Sequence, residues 1–137
     1  MKQCIAVTLF LASFNLTAGD LILADNIEIL TLNGVQVESY DERLPIDHGT
    51  QVLTIRYDEL FIPSTEYHQF VRSGVQVIRF EALETKDYFL STPAMTLEQA
   101  VDFAKDPEFF LTTEHDQMID HQAWSRDELL TYLLNRN

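Results

Sequence analysis

The clearest fold signal in the sequence is the stretch Asn26-Ile-Glu-Ile-Leu-Thr-Leu-Asn-Gly-Val-Gln-Val-Glu38. Two apolar runs with partial alternation flank the pair Asn33-Gly34, and alternation with a period of two is typical of strands. Asn-Gly favours a type I′ turn, because both central residues of that turn need a positive φ. The stretch therefore predicts a β-hairpin. Both faces of its first strand carry apolar residues, so we expect burial on two sides.

Three later segments extend the strand pattern. The segment Leu44-Pro-Ile46 is short, and Pro45 places it at a sheet edge because proline cannot donate to the ladder. Residues 51–57 alternate cleanly, and residues 58–62 either continue that strand or flare into the polar loop that follows. Residues 74–82 carry apolar side chains on both faces, which favours a layer of a sandwich.

The second half of the chain changes from strand to helix periodicity. Thr96-Leu-Glu-Gln99 is a capping-box pattern that opens a helix, and Asp106-Pro107 ends it because the residue before proline avoids the α region. Residues 108–112 return to a strand pattern, and Ser125-Arg-Asp-Glu128 opens a second helix. A leucine stripe on this helix favours packing on its own domain, with a partner helix as the alternative. The stripe consists of Leu129, Leu130, Leu133 and Leu134.

These patterns predict one α+β domain, with a small antiparallel β-sandwich-like sheet, a mid-chain helix and a C-terminal amphipathic helix. A chain of 137 residues suits a single domain. Its 9 Lys and Arg against 22 Asp and Glu give a formal net charge of −13. This charge argues against nucleic-acid binding, which needs clustered basic side chains, and against adsorption to an anionic membrane surface.

Residues 1–19 have the pattern of a cleavable secretory signal peptide. A positive start and an apolar run precede small residues that allow cleavage after Ala18 or Gly19. A cut after Gly19 leaves residues 20–137 as the mature domain and removes Cys4, the only cysteine. We therefore expect a periplasmic protein without disulfides, and without membrane insertion once the signal peptide is removed.

The sequence contains no pattern that indicates a catalytic nucleophile or a cofactor. The G-x-S-x-G and S-x-x-K motifs are absent. Residues 114–121 hold two histidines and three carboxylates, which are ligand types for zinc. His115 and His121 are six residues apart, however, and a polar turn explains the same residues. We therefore predict a non-enzymatic protein without metal or cofactor, and keep a small metal-dependent hydrolase as the less favoured alternative.

Four residues are candidate partner contacts. Leu44 begins the predicted edge strand, and an exposed sheet edge can pair with an extended segment of another protein. Tyr67, Tyr88 and Trp124 lie beside polar residues near the ends of predicted elements, where aromatic side chains form contact patches. We expect binding of an envelope or exported protein, with the flank of residues 75–82 as a second docking edge. A cell-wall or carbohydrate binding module that uses the aromatic residues is the alternative.

Several short motifs follow one another along most of the chain. They are Ile29-Leu-Thr-Leu-Asn-Gly34, Gly49-x-Gln-x-Leu53 before Ile55-Arg-Tyr57, Ser73 with the strand from Val75 to Phe80, and Gln99-Ala100 with Phe103-Ala104 ahead of Asp106-Pro107 and Phe109-Phe-Leu111. Their order and spacing resemble the YccT-like family of small periplasmic proteins, mostly of unknown function, which includes the curli synthesis inhibitor. The resemblance implies a non-enzymatic periplasmic protein that restrains assembly of an amyloid-type fibre subunit by contacting it. It assigns no catalytic or ligand residue.

Overall fold

The computed structural model describes residues 17–38, 41–83 and 86–136. Residues 1–16 of the predicted signal peptide lie outside the described residues, and its last three residues, 17–19, form the start of the first strand. The elements, in chain order, are β1 (Thr17–Leu23), β2 (Ile27–Leu32), β3 (Val35–Gln36), β4 (Arg43–Asp47), β5 (Gly49–Ser64), β6 (Tyr67–Arg72), β7 (Gln76–Ala82), β8 (Tyr88–Ser91), α1 (Leu97–Phe103), β9 (Phe110–Thr113), β10 (Gln122–Ser125) and α2 (Arg126–Leu134).

The strands form two sheets that share one hydrophobic core. The first sheet has the strand order β4-β1-β8-β9, and the second has the order β10-β7-β5-β2-β3, with β6 also paired to β5. The pairs are antiparallel apart from β1 with β8, which are parallel. Both sheets contribute to the core, where the rings of Phe80 and Tyr88 lie 5.2 Å apart. The predicted α+β class is confirmed, as are its mid-chain and C-terminal helices.

The predicted hairpin at Asn33-Gly34 is confirmed. Strands β2 and β3 pair antiparallel, and φ is 51° at Asn33 and 80° at Gly34, as a type I′ turn requires. Asn33 also holds the turn against β5. Its N–H donates to the carbonyl of Val52, and its side-chain Oδ1 accepts from the N–H of Val52, both at 2.8 Å. The turn therefore reverses the chain and docks onto the neighbouring strand.

A buried glutamine connects this turn to the end of β4. Gln51 is 1 % exposed, and its Oε1 accepts from Nδ2 of Asn33 at 2.7 Å. Its Nε2 donates to the carbonyl of Asp47 at 2.8 Å. A buried amide is costly unless its donors and acceptor find partners, so these two bonds fix the relative positions of three chain segments.

The core is centred on β5, which is 16 residues long. Leu53, Ile55 and Tyr57 are fully buried in it, since alternate residues of a strand point to the same face. The sequence left two interpretations open for residues 58–62, and the structure shows that they continue the strand. The polar loop expected after them is only a short turn, because the return strand β6, which the sequence did not predict, follows directly.

Strands β6 and β7 form one return path along β5, interrupted at residues 73–75. Ser73 makes the connection at this interruption. Its N–H donates to the carbonyl of Tyr57, and its Oγ accepts from the N–H of Tyr57, both at 2.9 Å. The side chain of Ser73 therefore replaces a backbone carbonyl that the interruption takes out of the ladder.

The two predicted docking edges have different outcomes. Strand β4 lies at the edge of the first sheet and contains Leu44 and Pro45, as the sequence predicted. The flank of residues 75–82 is not open along its whole length, because β10 pairs with residues 76–79 of β7. The prediction of a docking edge is wrong for that part of β7. Nothing in the sequence pattern had indicated the strand β10.

Helix α1 begins at the predicted capping box. The side chain of Thr96 accepts from the N–H of Gln99, and the side chain of Gln99 accepts from the N–H of Thr96. The helix ends at Phe103, earlier than Asp106-Pro107 had suggested. The ring of Phe103 makes edge-on contacts with Tyr57 at 5.1 Å and with Phe109 at 5.9 Å, and so joins the helix to the core.

Helix α2 begins after Ser125, whose Oγ accepts from the N–H of Glu128 at 3.1 Å. No residue of α2 is buried, so the predicted packing of its leucine stripe on the domain is not observed. The helix contacts β10 and β7, and the ring of Tyr132 lies 6.5 Å from that of Trp124. Within the described part of the chain, neither helix is long and apolar enough to cross a membrane.

The substitution Gln51→Leu tests the buried amide network. It conserves volume but removes the partner of the Asn33 amide and of the Asp47 carbonyl, so we expect the free energy of unfolding to fall by about 1–3 kcal/mol. Gln36→Leu, at an exposed position of β3, is the matched control and should change that free energy by less than about 0.5 kcal/mol. Urea denaturation measures both, and equal losses would contradict a structural role of the network.

The pH dependence of stability tests the environment of Tyr57. Burial raises the pKa of Tyr57 above its ordinary value of 10.0, and a hydrogen bond to the carboxylate of Glu59 raises it further. The folded state therefore holds this proton more tightly than the unfolded state. The stability that it contributes is complete below pH 10.0 and declines as the pH rises above that value, by up to about 1.4 kcal/mol per pH unit.

Urea denaturation of the wild type and of Tyr57→Phe between about pH 8 and 11 makes the comparison, since phenylalanine cannot ionise there. We expect the stability of the wild type to fall more steeply than that of the variant. Parallel curves for the two proteins would show that Tyr57 ionises equally readily in the folded and unfolded states.

Candidate binding surface

The second half of β5 extends beyond the strands that flank its first half. Pairing with β2 ends at Tyr57, and pairing with β7 ends at Ile55. Residues 58–64 pair only with β6, to which they are joined by the turn at residues 65–66. We call this unit, residues 58–72, the hairpin arm.

The inner face of the hairpin arm is anchored to the domain. Val71 is buried and Phe61 is half-buried against the core cluster. Helix α1 contacts β6 on this side. The arm is therefore held in place by apolar contacts and does not depend on its two-stranded ladder alone, which would be marginally stable in water.

The outer face of the hairpin arm is apolar and exposed. Leu60 and Phe70 lie opposite each other in the ladder and are 42 % and 67 % exposed, and Ile62 is 59 % exposed. Cross-strand neighbours of this kind form one continuous patch. Tyr67, near the tip, is 54 % exposed but lies on the face opposite to Phe70, where its hydroxyl donates to Oε1 of Gln69 at 3.0 Å. A contiguous exposed apolar patch on a small protein indicates a contact surface.

Both edges of the hairpin arm carry unpaired backbone groups. The N–H of Asp58 points away from β6 and donates to the carbonyl of Asn26. Because backbone groups alternate in direction along a strand, those of Leu60 point to the same side, where β2 has already ended. By the same alternation, the N–H and carbonyl of Phe70 point away from β5. No described strand pairs with β6 on that side.

Charged groups frame the apolar patch. Arg72 donates to Asp58 at 2.8 Å across the base of the arm, and this bond raises the pKa of the Arg72 guanidinium. Glu59 lies on the inner face, where its carboxylate accepts a hydrogen bond from the hydroxyl of Tyr57. Glu66 is exposed at the tip and makes no ion pair with another described residue. Asp58 and Arg72 offset each other, so Glu66 leaves the rim of the patch with a net negative charge.

The four contact residues predicted from the sequence lie in different environments. Leu44 is 7 % exposed and Tyr88 is 2 % exposed, so both side chains belong to the core and offer no contact surface. Trp124 is half-buried, and its ring packs against Tyr132. Only Tyr67 lies on the hairpin arm. The sequence reasoning missed Leu60, Ile62 and Phe70, although the alternation of apolar residues at 60 and 62 was a readable sign of a strand.

The segment with zinc ligand types forms a turn and a short bridge. Asp116 adopts a positive φ of 58°, and Nδ1 of His121 lies 3.1 Å from the carbonyl of Ile119. Among the residues with described positions, no group of three or more His, Cys, Asp or Glu side chains comes close enough together to hold a metal ion.

The residues that carry the family resemblance hold the fold together. Asn33 and Gln51 form the buried amide network, Ser73 closes the interruption beside Tyr57, and Phe103 packs between two aromatic rings. None of them lines the hairpin arm's outer face. The motifs are therefore explained by folding and do not by themselves mark a site.

Comparison with known proteins gives one match. Residues 20–131 match the model of a family described as "Uncharacterized protein conserved in bacteria (DUF2057)". No curated protein and no solved structure matches the chain. The match spans most of the chain and includes every strand from β2 to β10 as well as the hairpin arm. The chain therefore belongs to this uncharacterised bacterial family, DUF2057, which is the YccT-like family that its motifs resemble.

Proposed function

We propose that the protein is a non-enzymatic binding module of the bacterial envelope, and that its hairpin arm pairs with an extended segment of an exported protein. The observation that carries the proposal is the coincidence of an exposed apolar face with unpaired strand edges on the same two strands. Main-chain hydrogen bonds to an edge supply affinity, and apolar side chains at alternate positions supply specificity.

The charge of the protein selects the partner. At a net charge of −13, two copies of the chain repel each other, which opposes self-association through the arms. Glu66 at the tip adds a negative charge at the patch itself. The partner segment that fits has apolar side chains at every second position and Lys or Arg residues beside them.

The finer form of the proposal is that this partner is an amyloid-type fibre subunit. Such fibres grow by adding strands to an exposed edge, so a protein that occupies the edge of a subunit restrains growth. The resemblance to the family that includes the curli synthesis inhibitor supports this choice. The apolar, unpaired hairpin arm supplies a surface of the required chemistry.

The alternatives have less support from the molecule. A metal-dependent hydrolase would need the ligand types of residues 114–121 to converge. A carbohydrate module would need open aromatic faces, and the ring of Trp124 is already packed against Tyr132. We therefore favour protein binding.

Fibre growth tests the proposal directly. The mature protein is added to a purified curli-type fibre subunit, and growth is followed by thioflavin T fluorescence. We expect a longer lag at equimolar ratio. Phe70→Ser, which removes an exposed ring, should weaken the effect about 10-fold, since losing one buried aromatic contact costs about 1.5 kcal/mol or more.

Phe70→Pro tests the contribution of the backbone edge separately from that of the side chain. Proline removes the outward N–H as well as the ring, so it should abolish the effect that Phe70→Ser only weakens. Val35→Ser, which removes a side chain that is 68 % exposed on the β2–β3 hairpin, is the matched control and should inhibit like the wild type. Equal inhibition by all four proteins, or none by the wild type, would refute the use of the arm.

We also propose that the chain is exported and processed. If residues 1–19 are a signal peptide, protein recovered from the periplasmic fraction should begin at Gly19 or Asp20. Mass spectrometry of the intact protein after osmotic shock measures the first residue. Recovery of the uncut chain from the cytosolic fraction alone would contradict export.

A further inference from the structure

A cleft of about 560 Å³ lies near the start of β5, at the end opposite to the hairpin arm. It opens where β7 continues beyond the last residue that β10 covers, Arg79. Its lining includes Arg79, Phe80, Glu81, Tyr88 and Ile119. The volume falls in the range typical of ligand sites. Arg79 pairs with Val52, six residues of β5 before the arm begins at Asp58, so about 20 Å of strand separates the two sites and they do not overlap.

In this cleft the end of β7 exposes backbone groups that no described strand pairs. Val52 directs its N–H and carbonyl toward Asn33, on the side of β5 away from β7. The N–H and carbonyl of its neighbour Gln51 therefore point toward β7, where Gln51 pairs with Phe80. By alternation, the N–H and carbonyl of Glu81 point away from β5 into the cleft. Strand β10 begins at the residue opposite Arg79 and does not reach Glu81, so no described strand satisfies these groups.

The cleft also contains an unpaired cation. Arg79 is exposed and has no carboxylate within ion-pair distance among the residues that the structure describes. Arg43, Arg56 and Arg72, by contrast, each pair with a carboxylate. In a chain with a net charge of −13, an arginine left without a carboxylate is available for an external one.

The floor of the cleft is apolar. Phe80 and Tyr88 form its base, but both are 2 % exposed and leave almost no ring surface open to a ligand. Leu83, which is 72 % exposed, and Ile119 extend this surface toward the opening. An apolar side chain placed here buries area against Leu83 and Ile119, which stabilises a complex in proportion to that area.

We propose that this cleft binds the carboxyl-terminal end of an apolar peptide. The terminal carboxylate lies on the Arg79 guanidinium, the peptide backbone pairs with the N–H and carbonyl of Glu81, and the last side chain packs on Leu83 and Ile119. The combination of an edge, a cation and an apolar floor matches this ligand, since each feature meets one part of a chain end. The carboxylates of Glu81 and Asp120 also line the cleft and disfavour an acidic side chain in the peptide.

Fluorescence anisotropy with a labelled tetrapeptide, Ser-Ala-Val-Phe, tests the proposal on the mature protein. The probe is used with a free carboxylate and with a carboxamide in its place. We expect the carboxylate form to bind at least about 10-fold more tightly, because a hydrogen bond to a charged group contributes that order of affinity. Equal binding of the two forms, or no binding of the carboxylate form up to about 1 mM, would overturn the proposal.

Variants assign the effect to this cleft. Arg79→Gln should lose at least about 10-fold in affinity for the carboxylate form and should leave the carboxamide form unchanged. Arg126→Gln, at the exposed first residue of α2, makes the same change in charge and should bind both probes like the wild type. Equal losses of affinity in the two variants would show that net charge alone explains the binding, and would contradict a site at Arg79. Because the comparison of the two probes uses the wild type, it is decisive even if Arg79→Gln folds poorly.

Discussion

The length of β5 is the constraint on which the rest of the structure depends. Its first part pairs with β7 on one side and with β2 on the other, and its inward side chains form the centre of the core. Its last part outruns both neighbours and pairs with β6 alone. A strand that leaves its sheet must expose backbone edges. The hairpin arm is the consequence of one strand being longer than the sheet that supports it.

Other edges of the two sheets are closed by identifiable means. Pro45 removes a donor from β4, the strand β3 is only two residues long, and β9 is bridged by Met118 through Thr112. Strand β10 covers most of β7 but stops before Glu81. Natural proteins blunt their edges in these ways to prevent unwanted pairing. The arm and the end of β7 lack these means, and both proposed sites lie there.

The sequence could predict what is decided locally. The Asn33-Gly34 turn and the capping box at Thr96 follow from side-chain and backbone preferences of a few consecutive residues. Strand β10 could not be predicted, because it is defined by its pairing with β7. The exposure of α2 could not be predicted either, since its leucine pattern fits a packed helix equally well. Leu44 does lie on the predicted edge strand, but its side chain faces the core. Tyr88 was misplaced because a polar neighbour in sequence says little about which face of a strand a side chain occupies.

Binding through the arm requires that its two strands bond to each other and that the outward backbone groups of Leu60 and Phe70 are free. Amide hydrogen exchange of the mature protein, read residue by residue by NMR, measures this directly. The account predicts slow exchange at Phe61 and Val71, whose N–H groups face the partner strand, and exchange at least about 100-fold faster at Leu60 and Phe70, whose N–H groups face outward. Equal protection of all four amides in the free protein would show that the edges are already occupied and would contradict the account.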